Sequence, residues 1–179
     1  MKIVKKILIG IVAVIAILLI VALFIKKDYT IEREVSINKP KQDVFDYIKI
    51  IKNQDKYSKW VMMDPNAKMN FKGTDGAVGF VSAWDSDKKD VGKGEQEITK
   101  IADGARIDLD VRFERPFKSK SEAWLTTESV TTSQTKVKWG FHGNMPYPFN
   151  ILQLCMSLDK MIGDDLQTNL NNLKGVLEK

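Results

Sequence analysis

Hydrophobic and polar residues follow three successive patterns along the 179-residue chain. Residues 7–25 form one continuous apolar run, with no charged residue and no side-chain amide. Much of residues 28–143 alternates between apolar and polar positions, which is typical of strands with one buried face. Residues 148–179 repeat apolar positions at helical spacing. The chain is therefore predicted to contain one membrane-length helix, a strand-rich domain and a closing helix.

The apolar run is long enough to cross a membrane. As a helix that rises about 1.5 Å per residue, it spans roughly 28 Å, close to the thickness of the hydrocarbon core of a bilayer. Lysines flank it on both sides: Lys2, Lys5 and Lys6 before it, and Lys26 and Lys27 after it. Because burying these charges is costly, they hold the ends of the helix at the two interfaces. We predict a transmembrane anchor over residues 1–27 and a separate domain over residues 28–179.

A cleaved secretory signal is the alternative interpretation of this run. The run is longer than the usual apolar core of a signal peptide, and residues 23–27 show no small-residue cleavage pattern. We therefore favour an uncleaved, single-pass anchor. The short N-terminal tail carries three lysines and is hard to translocate, whereas a long domain crosses a membrane largely regardless of its charge. We expect the N-terminus in the cytoplasm and the domain outside it.

The alternating region predicts one strand, two short helices and six further strands. The first strand covers residues 28–38, after which Asn38 is expected to cap a helix with Pro40 in its first turn. A second short helix is expected at residues 54–60. The later strands are predicted near residues 67–73, 77–84, 91–101, 105–115, 119–130 and 133–143. Since turns join consecutive strands that each have one polar face, the pattern predicts an antiparallel sheet built of hairpins.

The C-terminal pattern predicts a long helix from about Pro148 to Lys179. Its apolar residues form one stripe, on which Cys155 is expected to be buried. From Phe149 to Ile162 the helix is apolar almost all round, which is more than one buried face requires. Two interpretations stay open for this half: it is wrapped by the sheet, or it touches the bilayer near the mouth of a cavity.

Composition removes several classes of function. The net charge of +5 comes from the five lysines of residues 1–27, because the rest of the chain holds 23 basic and 23 acidic residues. A neutral domain has no electrostatic footprint for nucleic acid, so no nucleic-acid partner is expected. The chain has one cysteine, Cys155, and one histidine, His142. A disulfide within the chain is impossible, and a zinc site or catalytic triad would depend entirely on His142. We expect no metal and no cofactor.

Several segments, taken in their order and spacing, resemble the SRPBCC superfamily, which includes START-like and birch-pollen-allergen-like proteins. The segments that carry the resemblance are Ile37 to Phe45, Tyr57 to Trp60, Gly79 to Trp84, Gly92 to Ile98, Thr135 to Trp139 and the terminal helix. Within the superfamily, the chain looks like the subgroup labelled polyketide cyclase/dehydrase-like. The resemblance covers residues 29–179 and leaves out the N-terminal span.

This resemblance implies an α+β helix-grip fold, in which a curved seven-stranded antiparallel sheet grips the long C-terminal helix around an apolar cavity. Members of the superfamily bind lipids, sterols, polyketides and other hydrophobic molecules, and only some of them are enzymes. We therefore expect a monomer that binds a hydrophobic small molecule or lipid without chemistry. Two alternatives stay open: an enzyme of the cyclase or dehydratase type, and a membrane-tethered module with a solid core and a protein partner.

The candidate cavity-lining residues are the aromatics on the apparent inner faces and two methionines of the terminal helix: Trp60, Phe80, Trp84, Phe113, Trp139, Phe141, Met156 and Met161. For any one of them, packing in a core is the simpler interpretation, because aromatics dominate cores by area. No catalytic residue is predicted. His142 alternates onto the polar face, and Glu122 and Glu128 lie opposite the apparent core positions Ala123 and Leu125.

Overall fold

The apolar run near the N-terminus forms a single helix, α1, Lys2–Phe24. The computed structural model describes residues 2–179. Within α1, the stretch Ile3–Phe24 is long and apolar enough to cross a membrane, by length and composition. From Ile3 onward its side chains are exposed, with the exception of Ala22 near the end. An apolar helix that buries so little of itself against the protein favours another apolar environment.

Seven antiparallel strands form one sheet in the order β1-β7-β6-β5-β4-β3-β2. In chain order, the strands are β1 Asp28–Ile37, β2 Lys68–Lys72, β3 Val81–Asp85, β4 Lys93–Ala102, β5 Arg106–Arg115, β6 Ser119–Thr131 and β7 Gln134–Asn144. From β2 to β7, each strand pairs with the next one along the chain, as the alternating pattern predicts. β1 pairs with β7 along its whole length. The predicted seven-stranded antiparallel sheet is confirmed.

The helices between β1 and β2 differ from the prediction: the first begins later, and two short segments replace the second helix predicted at residues 54–60. The three segments are α2 Lys41–Lys49, a 3-10 segment Ile51–Lys56 and α3 Lys59–Met62. The prediction that Asn38 caps α2 is wrong. Pro40 precedes the helix in an extended conformation, with ψ 147°, so the helix starts only after it. Asn38 Oδ1 instead accepts a 2.8 Å hydrogen bond from Gln134 Nε2 at the start of β7.

The predicted long C-terminal helix is interrupted in its first half. Its N-terminal part is a 3-10 segment, Phe149–Leu154, and the α-helix, α4, covers Leu158–Leu177. Ser157 occupies the N-cap position, where its Oγ accepts a 3.3 Å hydrogen bond from the Lys160 amide. Such a cap favours a new helix start at this point. Cys155, which was expected to be buried on the helix stripe, is exposed in the connection between the two segments.

The two ends of the sheet are filled differently. The register places Asp28 beside Asn144 at the end nearest α1, and Ile37 beside Thr135 at the opposite end. The opposite end is solid, because α2 and the C-terminal part of α4 pack on the sheet there. Its buried core includes Ile37, Val44, Phe45, Ile48, Ile98, Ile107, Leu125, Val137, Leu170 and Leu173. The end nearest α1 is less filled and contains a cavity.

Candidate ligand-binding cavity

A cavity of about 400 Å³ lies between the sheet and the short helices, at the end of the sheet nearest α1. The sheet contributes residues near the ends of its strands, among them Tyr29 on β1, Phe113 on β5 and Ser121 on β6. The register brings these residues together. Tyr29 and Ser121 both pair with Gly143, and Phe113 pairs with Ser119. The cavity therefore lies in the half of the domain that adjoins the end of α1.

Five of the eight predicted lining residues contact the cavity: Trp60, Trp84, Phe113, Trp139 and Phe141. Phe80 is instead buried in the core beside Phe71, with the ring centroids 6.1 Å apart. Met156 lies exposed in the connection before α4, and Met161 lies on the exposed side of α4. The prediction that these three residues line the cavity is wrong. For the other five, a role in ligand binding stays a prediction.

Two aromatic pairs stand on the cavity wall. The ring of Trp60 meets that of Trp139 edge to face, with centroids 6.0 Å apart and planes at 88°. Trp84 meets Phe113 in the same way, at 5.9 Å and 75°. Trp60 Nε1 donates a 3.0 Å hydrogen bond to Asp165 Oδ2, and Trp84 Nε1 donates one of 3.2 Å to a backbone carbonyl oxygen. Because these polar groups are satisfied within the protein, the rings offer the cavity their carbon surfaces.

One polar pair interrupts the apolar wall. Gln54 and Gln96 both line the cavity, and Gln96 Nε2 donates a 2.8 Å hydrogen bond to Gln54 Oε1. Gln54 is only 4% exposed, and its Nε2 has no hydrogen-bond partner among residues 2–179. An unpaired buried amide costs about 1–3 kcal/mol, and polar groups placed in this way fix the orientation of ligands in apolar sites. The hydrophobic pattern carries no signal for this pair, since neither glutamine belongs to an apolar stripe.

Tyr29 separates the cavity from a second opening. It lines the cavity and also a neighbouring cleft of about 310 Å³, which runs beside the start of α4 and includes Gln153 and Met156. The Tyr29 ring stacks on that of Phe141, with centroids 6.4 Å apart and planes at 27°. Burial raises the pKa of the Tyr29 hydroxyl above its ordinary value, so this side chain is neutral at physiological pH. The cavity and the cleft therefore meet at one half-buried, uncharged aromatic ring.

Few ionisable groups adjoin the cavity. Among its described lining residues, Asp90 is the one carboxylate. His142 lies away from the cavity, as its position in the alternation predicts, with Nδ1 2.9 Å from Thr30 Oγ1. Glu122 is exposed and Ala123 is buried, also as predicted. The wall therefore offers apolar contact and a few hydrogen-bonding groups, and acid–base chemistry there would have to use Asp90 or the Tyr29 hydroxyl.

The residues that join α1 to the domain were not foreseen from the sequence. Asn150, in the 3-10 segment Phe149–Leu154, is fully buried. Its Nδ2 donates hydrogen bonds of 2.7 and 2.9 Å to the carbonyl oxygens of Ala22 and Ile25. Gln153 Nε2 donates one of 3.0 Å to the carbonyl oxygen of Lys26. These contacts satisfy carbonyls at a helix end, where the backbone has no partners of its own. The available signal is two side-chain amides, Asn150 and Gln153, within an otherwise apolar stretch.

No family model and no curated protein matches the chain, whereas solved structures do. A truncated norcoclaurine synthase from Thalictrum flavum has a TM-score of 0.62 at 11% identity, and the match covers 87% of this chain and 98% of that one. Norcoclaurine synthase from the same plant, in complex with dopamine and hydroxybenzaldehyde, has a TM-score of 0.59 at 9% identity, covering 83% and 86%. Ara h 8.0201 has a TM-score of 0.54 at 14% identity, covering 84% and 97%.

The chain has the helix-grip fold. At these identities the likeness to solved structures shows the fold alone, and it carries no activity across. The predicted fold class is thereby confirmed. Membership of the polyketide cyclase/dehydrase-like subgroup stays a prediction.

Proposed function

We propose that this protein is a membrane-anchored domain that binds a hydrophobic small molecule or a lipid in its cavity, without converting it. The cavity itself carries the proposal. Its volume of about 400 Å³ falls in the range of roughly 300–1,000 Å³ that is usual for small-molecule sites. Protein interiors hold few voids larger than a water molecule. A domain that used these aromatic residues only as packing would therefore have less space between them.

The helix α1 supports an apolar ligand that comes from the membrane. It is long and apolar enough to span a bilayer, and lysines follow it directly. We place the N-terminus in the cytoplasm and the domain, as a monomer, on the other side. β1 begins at Asp28, only a few residues beyond the end of α1, so the cavity stays close to the bilayer surface.

The wall favours a ligand with an apolar body and one polar group. Most lining side chains are aromatic or aliphatic, and the pair Gln54 and Gln96 supplies a hydrogen-bonding point among them. The norcoclaurine synthase structure with dopamine and hydroxybenzaldehyde lends support, because both compounds are small aromatic molecules with polar groups. We therefore expect an amphiphile rather than a pure hydrocarbon.

Asp90 favours an enzyme of the cyclase or dehydratase type as a second candidate, because it is a carboxylate on the cavity wall. The two candidates differ in what Asp90→Asn does. Binding without chemistry predicts that this variant carries the same bound molecule as the wild type. An enzyme predicts that the variant accumulates a different molecule, the unconverted substrate, which mass spectrometry of extracted ligands would detect.

Photocrosslinking in the membrane tests the proposed function. The full-length protein in vesicles is irradiated with a fatty acid that carries a diazirine on its chain, and the modified peptides are mapped by mass spectrometry. We expect adducts on lining residues of the domain, such as Met63, Met69 and Trp139. Adducts confined to α1 would contradict a ligand cavity, because they report contact with bulk lipid only.

A matched pair of variants controls this experiment. Ala123 lines the cavity, whereas Ala83 lies between the lining residues Ser82 and Trp84 and so faces the other side of the sheet. Ala123→Leu should reduce the cavity adducts by about tenfold, which corresponds to about 1.4 kcal/mol of affinity. Ala83→Leu should leave them unchanged. Equal labelling of two equally stable variants would argue against occupation of the cavity.

A further inference from the structure

The connection between β7 and α4 exposes an unusual amount of apolar surface. We define the 147–156 surface by its exposed members Tyr147, Phe149, Leu152, Leu154 and Met156. The side chains of Phe149 and Leu154 are 62% and 66% exposed. A contiguous exposed apolar group of this kind usually marks a site of interaction with a protein or a membrane.

The 147–156 surface is fixed to the end of α1. Asn150 lies within it and holds the carbonyl oxygens of Ala22 and Ile25, and the Met145 amide just before it donates a 2.8 Å hydrogen bond to the Lys27 carbonyl oxygen. Ala22 is buried at this contact, unlike its neighbours in α1. The surface therefore cannot move away from the point at which α1 meets the domain.

The contact with Ala22 sets the depth of the 147–156 surface. Ala22 belongs to the apolar run, which ends at Ile25, three residues further on. Because α1 ends at Phe24, one residue before the end of the run, this separation is about 5 Å along the helix axis. If α1 crosses the bilayer, the side chain of Asn150 reaches the boundary between the acyl chains and the headgroups, and the apolar residues around it lie at the same level.

A second exposed aromatic lies at the same end of the domain. Phe117 is 81% exposed in the turn between β5 and β6, and Lys118 follows it. The register places this turn near α1. Ser119, which begins β6, pairs with Phe113, and Ser121 pairs with Gly143 next to the end of β7. An exposed aromatic followed by a lysine is a common arrangement at membrane interfaces.

We propose that the 147–156 surface and Phe117 together bind the surface of the bilayer that α1 crosses. This inference rests on the proposed function, since it requires α1 to span the membrane. The residues of the 147–156 surface and Phe117 insert at the boundary of headgroups and acyl chains. They hold the domain with its cavity end toward the lipid. The cleft between Tyr29 and Met156 then opens onto the bilayer. A lipid-like ligand reaches Tyr29 by this route without crossing water.

Spin labelling tests the proposal on the full-length protein. Cys155 is the single cysteine of the chain and lies in the 147–156 surface, so a nitroxide can be placed there without any substitution. The protein is reconstituted in vesicles of phosphatidylcholine with a minority of phosphatidylglycerol. Power saturation then compares collisions of the label with oxygen, which concentrates in lipid, and with a water-soluble nickel chelate. In the Cys155→Ser background, Phe117→Cys places the label at the second tested residue. The controls in the same background are Ile15→Cys in the middle of α1 and Ser133→Cys in the turn between β6 and β7, at the far end of the domain.

We expect labels at Cys155 and at position 117 to collide more with oxygen than with nickel, and the label at position 133 to show the reverse. Preference for nickel at both of the first two positions overturns the proposal, provided that the label at position 15 reports the acyl core. Spin–spin broadening at Cys155 without lipid contact also overturns it, in favour of contact with a second copy of the chain. A water-exposed label at position 15 overturns the anchor of the proposed function and this inference with it.

Discussion

Tyr29 on β1 pairs with Gly143 on the neighbouring strand β7, and the Tyr29 ring occupies the space that a side chain at position 143 would fill. A Cβ atom added to Gly143 would lie 2.4 Å from Tyr29 Oη. The same ring stacks on Phe141 and lines both the cavity and the cleft beside α4. The absence of a side chain at Gly143 thus lets Tyr29 lie between the two openings.

Removal of this ring should speed the exchange of ligand. Tyr29→Ala joins the cavity to the cleft, so a bound molecule no longer waits for a ring to move. The diazirine fatty acid is preloaded, chased with excess palmitate and crosslinked at successive times. Cavity adducts should decay several-fold faster in Tyr29→Ala than in the wild type. Tyr29→Phe, which keeps the ring, should decay at the wild-type rate. The same rate in Tyr29→Ala and Tyr29→Phe would show that the ring does not gate exchange.

The hydrogen bonds of Asn150 should contribute measurably to stability. Asn150→Ala leaves the carbonyl oxygens of Ala22 and Ile25 without their side-chain donor. The expected loss is about 1–3 kcal/mol, and thermal unfolding of the full-length protein in detergent should show it as a Tm lower by several degrees. Gln153→Ala removes a more exposed bond to Lys26 and serves as the control with a smaller effect. Equal Tm values for Asn150→Ala and the wild type would mean that this junction does not stabilise the fold.

The free energy of unfolding should fall at acid pH, because the Asp64 carboxylate becomes protonated. The pKa of its carboxyl lies below the ordinary value of 3.8, chiefly because Ser86 Oγ donates a hydrogen bond to it, with further help from the Asn66 amide and the charge of Lys88. A lowered folded pKa means that the unfolded chain binds the proton more readily. The contribution of Asp64 is therefore complete above the ordinary pKa and is lost as the pH falls through the folded value.

Ser86→Ala tests the role of this hydrogen bond. The pKa of Asp64 should return toward its ordinary value, so the free energy of unfolding from urea titrations should depend less on pH between about pH 5 and pH 2. Ser133→Ala removes a hydroxyl from an exposed turn and should keep the wild-type profile. A Ser86→Ala profile that matches the wild-type one would show that Asp64 is not held by Ser86.

Washing of membranes checks α1 as an anchor. A protein held only by its lysines and anionic lipids is released by high salt, because salt screens the attraction. A protein held by a spanning apolar helix stays in the membrane pellet after both high-salt and alkaline washes. We expect the full-length protein in the pellet after both treatments. Release by salt, or a mature N-terminus beyond Ile25, would contradict the anchor.

The alternating pattern predicted most of the sheet because one side of most strands meets the core. On β5, Leu109 is buried and Asp110 is more exposed, in line with their positions. The pattern assigns a face to each residue but no depth along the sheet. Phe80 and Trp84 therefore looked equivalent in the sequence, although Phe80 packs beside Phe71 and Trp84 lines the cavity.

The break between the 3-10 segment Phe149–Leu154 and α4 could not be predicted from apolar spacing alone. An apolar stretch such as Phe149–Leu154 fits a buried helix and also fits a segment that lies beside a membrane-spanning helix. Two local signals were present: Ser157 is a favourable N-cap residue, and Asp159 is an acidic residue in the first turn of α4. The contact that joins this segment to α1 is the hydrogen bond from Asn150 to Ala22. Ala22 is far away in the sequence, and no local pattern reports such a contact.

Native mass spectrometry of the full-length protein, released from detergent after purification from its own membranes, tests the central claim most directly. The account predicts that the wild type carries the added mass of a bound apolar molecule. Ala83→Leu should keep this mass, and Ala123→Leu, which fills part of the cavity, should lose most of it. A wild-type protein with no added mass, or the same added mass in both variants, would contradict the account.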